Sequence, residues 1–289
     1  MKGDAFFEEI NEAKANLDDV YDQPDPRAYF SEVEKFGYAI PGTAKPVFQK
    51  MISQLRNEHG GSLRVLDLGC SYGVNAALLK YDLSMAELYD HWAKADTAGA
   101  TSAEVVERDR RFFASLEPVK GVEVVGLDQA GNAIDYACKV GLLDDGYGID
   151  LERKPVPDAA RDSLANVDLV VSTGCVGYVT EKTFEHLLPV ITQGGAPWMA
   201  HFVLRMFPFG QVERCLDQYG YKTEKVEGRT FVQRRFATPQ EQAQVVGQLR
   251  GQGCDPAGLE ANGHLLAELY ISRPTKDADA MPVNGLLPS

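Results

Sequence analysis

Apolar residues recur along this chain in two rhythms, one near 3.6 and one short and continuous. Phe6, Ile10, Ala13, Leu17 and Val20 fall three and four apart, which is one face of an amphipathic helix. Asp22-Gln23-Pro24-Asp25-Pro26 ends it, because proline cannot continue the helical ladder. An aromatic stretch follows, with Tyr29, Phe30, Phe36 and Tyr38, and closes at Pro41-Gly42. Val47, Phe48, Met51, Ile52 and Leu55 then restore helical spacing. Residues 65–68 form a short apolar run broken only by Asp67, as expected of a buried strand. Four similar runs come later, at 122–128, 147–151, 167–172 and 198–206. Helical spacing separates them, over 74–79, 132–140, the face Phe184, Leu187, Leu188 and Ile191, and 210–219. Strands alternating with helices predict an α/β fold with a mostly parallel sheet.

Two regions depart from that alternation. Between the first helix and the second strand lies an insertion, residues 81–120. Met85, Leu88 and Trp92 mark one helix in it, and residues 96–101 a loop. Thr101 with Glu104 reads as a capping box that opens a second helix through Val105, Phe112, Phe113 and Leu116. At the other end, residues 226–236 and 264–272 read as the last two strands, with a polar helix at 239–249 between them. Residues 281–289 read as a loose tail.

The first strand, its glycine turn and the helix start make a natural ligand seat. Gly69 and Gly73 let the backbone come close to a ligand, and the first helical N–H groups face the same space. The run Val65-Leu66-Asp67-Leu68-Gly69-Cys70-Ser71-Tyr72-Gly73 resembles the first motif of the class I S-adenosylmethionine (SAM) methyltransferases. It is not a dinucleotide fingerprint, which needs G-x-G-x-x-G, nor a P-loop, since Val74-Asn75 follows the glycine where Lys-Ser/Thr is required. The resemblance runs from about Arg64 to Pro274, and it implies a Rossmann-like seven-stranded sheet with SAM across its carboxyl edge.

The resemblance also implies site residues. Asp67, Gly69, Cys70, Ser71, Tyr72 and Gly73 belong to the motif turn. Asp128, with Gln129 beside it, takes the position of the acid that accepts hydrogen bonds from both ribose hydroxyls. Asp150 and Leu151 match the adenine site, and Thr173 and Gly174 the edge of the fourth strand, where the reacting group lies. A division follows into an N-terminal helical lid (1–60), a SAM-binding domain (61–275, with the helical insertion 81–120) and a C-terminal tail (276–289). Tyr21, Tyr29, Phe30, Tyr38 and Trp92 are expected to shape the acceptor pocket. Tyr178 is expected near the sulfonium, where a ring face stabilises a cation, and His201 is expected as a base. Asp90, His91 and Glu181 are weaker base candidates.

The implied activity is methyl transfer from SAM to an O, N or C atom of a small molecule. A fainter overall likeness, in the aromatic N-terminal stretch and the long insertion, is to methyltransferase-like azetidine-2-carboxylate synthases. Those enzymes cyclise SAM by attack of its own amine on Cγ and release methylthioadenosine. A SAM-binding module without catalysis is a third reading.

Composition narrows the partners. A net charge of −13 over 289 residues and a pI near 4.9 disfavour nucleic acid and anionic membranes as partners. Five cysteines without C-x-x-C spacing fit a reducing, cytoplasmic setting. The five histidines form no ligand-spaced pair, so no metal is expected. A homodimer is compatible with the sequence.

Overall fold

The protein is described by a computed structural model over residues 20–93 and 99–288. The amphipathic run from Phe6 therefore lies outside the described residues except for Val20, and so do residues 96–98 of the 96–101 loop. The strands are β1 (Leu63–Leu68), β2 (Val122–Asp128), β3 (Asp145–Gly148), β4 (Leu169–Thr173) and β5 (Trp198–Leu204). They are followed by β6 (Tyr221–Lys225), β7 (Phe231–Arg235) and β8 (His264–Pro274). The order across the sheet is β3-β2-β1-β4-β5-β8-β6, with β7 also pairing β8. The first five strands are parallel, and β8 runs antiparallel to β5, β6 and β7. The sheet order reverses between β1 and β4, so the crevice outside the carboxyl ends of those strands is the expected ligand site.

Buried strands of this kind send alternate side chains to opposite faces. Val65, Val124 and Leu169 join one apolar cluster, whereas their neighbours Leu66, Val125 and Val170 join the other. The first cluster is closed by α1 (Arg27–Lys35), α2 (Ile40–His59), α3 (Val74–Lys80) and α6 (Gly131–Lys139). The second is closed by α7 (Asp158–Leu164), α8 (Glu181–Ile191), α9 (Gly210–Asp217) and α10 (Pro239–Gly251). In the insertion lie α4 (Met85–Ala93) and α5 (Ser102–Ala114). Thr101 and Glu104 make the reciprocal capping box that opens α5.

Three expectations are corrected. The run 226–236 is not one strand: Gly228, at φ +71°, turns the chain, and β6 and β7 lie on either side of it. Both pair along the same edge of the long β8, β6 at residues 270–274 and β7 at 264–267, so eight strands fill seven positions across the sheet. Third, the C-terminal segment is not loose. After α11 (Thr275–Ala280), Leu286 is fully buried in the cluster that α2 closes.

Candidate active site

β1 delivers the chain to a turn in which three residues take positive φ: Gly69 at +71°, Ser71 at +48° and Gly73 at +80°. Gly69 is required by packing. A Cβ there would stand 2.4 Å from Cys175 Cβ, so the loop after β4 can lie against the turn only because the side chain is missing. Ser71 is the sole non-glycine with positive φ among the described residues. That conformation aims its N–H at Asp128, and the bond to Oδ2 is 2.8 Å. The other oxygen of Asp128 accepts from Ala130 N at 3.0 Å. A carboxylate at the end of β2 is thus fixed by two backbone donors, one on each side of the crevice. A carboxylate oxygen can accept more than one hydrogen bond.

Asp128 lines a cleft that extends from this turn in two directions. Toward β3 it is walled by Gln129, Ala130, Ile149, Asp150, Leu151 and Glu152. Asp150 opens a tight turn there: its Oδ1 accepts from Glu152 N at 3.1 Å, which ends the extended backbone after β3. Glu152 in turn binds Thr180 N at 2.8 Å, Thr180 Oγ1 at 2.7 Å and Thr183 Oγ1 at 2.6 Å, and so anchors the start of α8. Toward β4 the cleft passes Thr173, Gly174, Cys175 and Tyr178. Its outer wall is Tyr21, Tyr29, Val33, Phe36 and Tyr38, with Gln233 and Arg234 contributed by β7.

The wall is ordered from behind. The Tyr29 ring meets Tyr21 at 5.3 Å and Tyr72 at 5.3 Å between centroids. Tyr89 on α4 donates to the Tyr38 carbonyl at 2.8 Å, and the Tyr38 hydroxyl lies 3.5 Å from the Thr173 carbonyl. Burial pushes both the Tyr29 and the Tyr38 phenols up, so both are neutral donors at ordinary pH. Burial likewise raises the Cys175 thiol to about 12, which leaves it unreactive.

Most of the residues expected at the site converge on this cleft. Gly69, Ser71, Asp128, Gln129, Asp150, Leu151, Thr173 and Gly174 line it, and so do Tyr21, Tyr29, Tyr38 and Tyr178. Others do not reach it. Asp67 is fully buried behind the turn, where its Oδ1 accepts from Asn75 Nδ2 at 2.9 Å. The same Asn75 amide donates to Thr173 Oγ1 at 3.1 Å, so Asp67 meets the cleft only through this relay. Cys70 and Gly73 face the packing between β2 and α6, with Cys70 Sγ near the Gly126 backbone and Gly73 against Ala137 and Leu142. Tyr72 is buried, and its hydroxyl donates to the Gln23 carbonyl at 2.9 Å and accepts from Gln23 N at 2.8 Å, so it fastens the chain ahead of α1.

His201, Phe30 and Trp92 stand further away. His201 is fully buried in β5 between Phe184 and Phe209, and its Nδ1 lies 2.8 Å from Ser172 Oγ. Desolvation lowers it to about 3; it is a neutral core residue and cannot serve as a base in the cleft. Phe30 and Trp92 stack on each other at 3.5 Å, and Trp92 Nε1 donates to the buried Asp109 at 3.2 Å. No described residue of 81–120 lines the cleft; the insertion braces the back of α1. His91 is likewise held by Asp109, at 2.8 Å. The sequence reading missed Glu152, Cys175 and Gln233, whose surroundings carry no local motif.

Five parallel strands ordered β3-β2-β1-β4-β5, an antiparallel pair beyond β5 and a strand-end acid facing the glycine turn settle the architecture. The chain has the class I methyltransferase fold. No family model matches the chain. No curated protein matches it. Among solved structures it is similar to a plantazolicin methyltransferase, BpumL, in complex with SAH, at 12% identity and a TM-score of 0.46 over 94% of this chain and 99% of that one. It is also similar to a TehB-like SAM-dependent methyltransferase from Corynebacterium glutamicum, at 16% identity and a TM-score of 0.36 over 76% and 86% of the two chains. A magnesium protoporphyrin IX methyltransferase from Synechocystis with bound SAM gives 12% identity and a TM-score of 0.37 over 80% of each chain. Similarity this low carries no argument about substrate. Among the described residues no group of three or more His, Cys, Asp or Glu could hold a metal ion, and no helix is long and apolar enough to cross a membrane.

Proposed function

We propose that the cleft binds SAM and that the protein transfers its methyl group to a small molecule. In this reading the two ribose hydroxyls donate to Asp128, and the adenine lies between Ile149 and Leu151 with its amino group toward Asp150. The methionyl part runs past Gly69 and Ser71 to Thr173. The observation that supports it most is Asp128: a strand-end carboxylate at the crevice, clamped by Ser71 N and Ala130 N, whose oxygens can each accept more than one hydrogen bond. A diol suits it, because each hydroxyl supplies one donor.

Methyl transfer from a sulfonium asks little of the protein. The acceptor must lie in line with the S–CH3 bond at near contact, and water must be excluded. The sulfonium carbon–sulfur bond breaks as the acceptor–carbon bond forms, and the acceptor's proton leaves to solvent or to a nearby base. The aromatic wall from Tyr21 to Tyr38 and Tyr178 suits this, since ring faces favour a cation and keep water away. The N-terminal segment then acts as a lid over a SAM-binding core, with the insertion as its brace.

Identification of the nucleoside released from SAM tests the reaction. Incubation with a metabolite pool should release S-adenosylhomocysteine (SAH), and release should depend on the pool. Methylthioadenosine formed from SAM alone would contradict methyl transfer and point to attack of SAM's own amine on Cγ.

A further inference from the structure

β7 is interrupted by a β-bulge. Val232 pairs with Leu266 and Arg234 with Leu265, so Gln233 is the extra residue between them. Bulges re-aim a side chain, and they cluster beside active sites. Here the bulge leaves the Gln233 carbonyl to accept from Ala39 N at 2.8 Å, which ties β7 to the end of the aromatic wall. The Gln233 side chain points the other way, into the cleft, over the end of β4. It fills the space above Gly174: a Cβ on that glycine would lie 2.3 Å from Gln233 Nε2. Gly174, at φ +83°, thus serves the glutamine rather than the ligand directly.

Gln233 is 8% exposed, and its carboxamide makes no hydrogen bond among the described residues; Oε1 is buried with no partner there. An amide head offers both donors and an acceptor, so a buried and unpaired one is costly unless something binds it. The surroundings restrict what that can be. Among the described residues the only cationic side chain lining the cleft, Arg234, is occupied by Glu241, with Nη1 to Oε2 at 3.1 Å and Nη2 to Oε1 at 2.5 Å. Asp128, Asp150 and Glu152 make the cleft acidic overall. Among the described residues an anionic group would find no unoccupied cationic side chain in the cleft. Phe36, Tyr29 and Tyr38 line the same cleft with aromatic rings.

We infer that Gln233 is the residue that orients the methyl acceptor, and that the acceptor is an uncharged planar molecule whose amide-like N–H and C=O pair with the glutamine head. This rests on the reading that SAM occupies the turn and Asp128. The bulge places Gln233 across the cleft from that end, beside Gly174, where the transferred methyl group would emerge.

Benzamide and benzoate are matched probes that differ in this feature. Each is titrated by ligand-observed NMR into the full chain, first alone and then saturated with SAH. In the SAH-loaded parent, benzamide should bind about tenfold more tightly than benzoate. Gln233→Leu should lower benzamide affinity by about tenfold while leaving SAH affinity within about twofold. Gln233→Glu, which keeps the shape but removes the donors, should lose benzamide likewise and serves if the leucine variant does not fold. Benzoate binding as well as benzamide, no benzamide binding at millimolar concentration, or unchanged benzamide affinity in a folded variant would each overturn the assignment. So would a tenfold loss of SAH affinity in both variants, which would place Gln233 on the cofactor. Failure of SAH to bind the parent would instead refute the SAM reading, and the titrations without SAH would still report on the amide site.

Discussion

Asp67 sits two residues before Gly69, yet burial closes it off from the cleft and pushes its carboxyl up to about 7, with the nearby Asp128 charge adding and the Asn75 hydrogen bond opposing. The folded state therefore binds a proton that the unfolded chain has already released between about pH 4 and 7. Stability from this group is fully present below that interval and falls as pH rises through it. Asp67→Asn should remove the loss. The variant should gain on the parent between pH 5 and 8 by on the order of 1–4 kcal/mol, read from urea denaturation at both values. Parallel behaviour of the two proteins would show that the carboxyl is already ionised when folded. Tyr178 presents a different question. Its ring packs edge-on against Phe207 at 5.3 Å and lines the cleft just beyond β4. A Cβ at Gly177 would meet that same Phe207 ring at 2.2 Å, so the glycine lets the loop close on Phe207 and sets where Tyr178 points. If the ring face stabilises the sulfonium, Tyr178→Phe should turn over nearly like the parent, and Tyr178→Ala should be slower by about 0.5–2 kcal/mol in the barrier. Equal rates for all three would reduce Tyr178 to packing.

At the scale of elements, the wall of the cleft and its brace should respond differently to ligand. The segment from Tyr21 to Tyr38 lines the cleft, whereas α4 and α5 meet that segment from behind, through the Phe30–Trp92 stack, the Tyr89 bond to Tyr38 and the bond from Ser102 Oγ to Asp25 at 2.6 Å. Saturating SAH should therefore slow amide hydrogen exchange across residues 27–38. It should change α4 and α5 less. Equal exchange in 27–38 with and without ligand would rule out a lid. The same distinction explains what was legible in the sequence. Aromatic residues read alike whether they wall a pocket or fill a core, so Trp92 and Phe30 were expected in the cleft although their rings stack on each other behind it. β1, β2, β4 and β5 were legible because strands buried on both faces are continuous apolar runs. β6 was not, since Tyr221-Lys222-Thr223-Glu224-Lys225 has one fully buried side chain and otherwise reads as loop. The bulge at Gln233 depends on how β7 registers against β8, thirty residues later in the chain, and nothing local signals it.

At the scale of the whole molecule, the glycine turn and the strand-end acid were legible because they are local: a glycine turn after an apolar strand, and an acid at the end of the next. Their convergence depends on β1 and β2 pairing in parallel register, Leu68 opposite Leu127, so that Ser71, just past β1, meets Asp128, the last residue of β2. His201 was misread for the converse reason, since its position in the central strand β5 buries it whatever its chemistry. In the proposed function, the clamp between Ser71, Ala130 and Asp128 is the seat for a nucleoside diol. Calorimetric titration of SAH into the parent and into Asp128→Ala tests it most directly. The parent should bind one SAH, and the variant, folded by circular dichroism, should bind more weakly by about 1.5–3 kcal/mol, the scale of hydrogen bonds to a charged group. Unchanged affinity in the folded variant, or no binding to the parent, would contradict it.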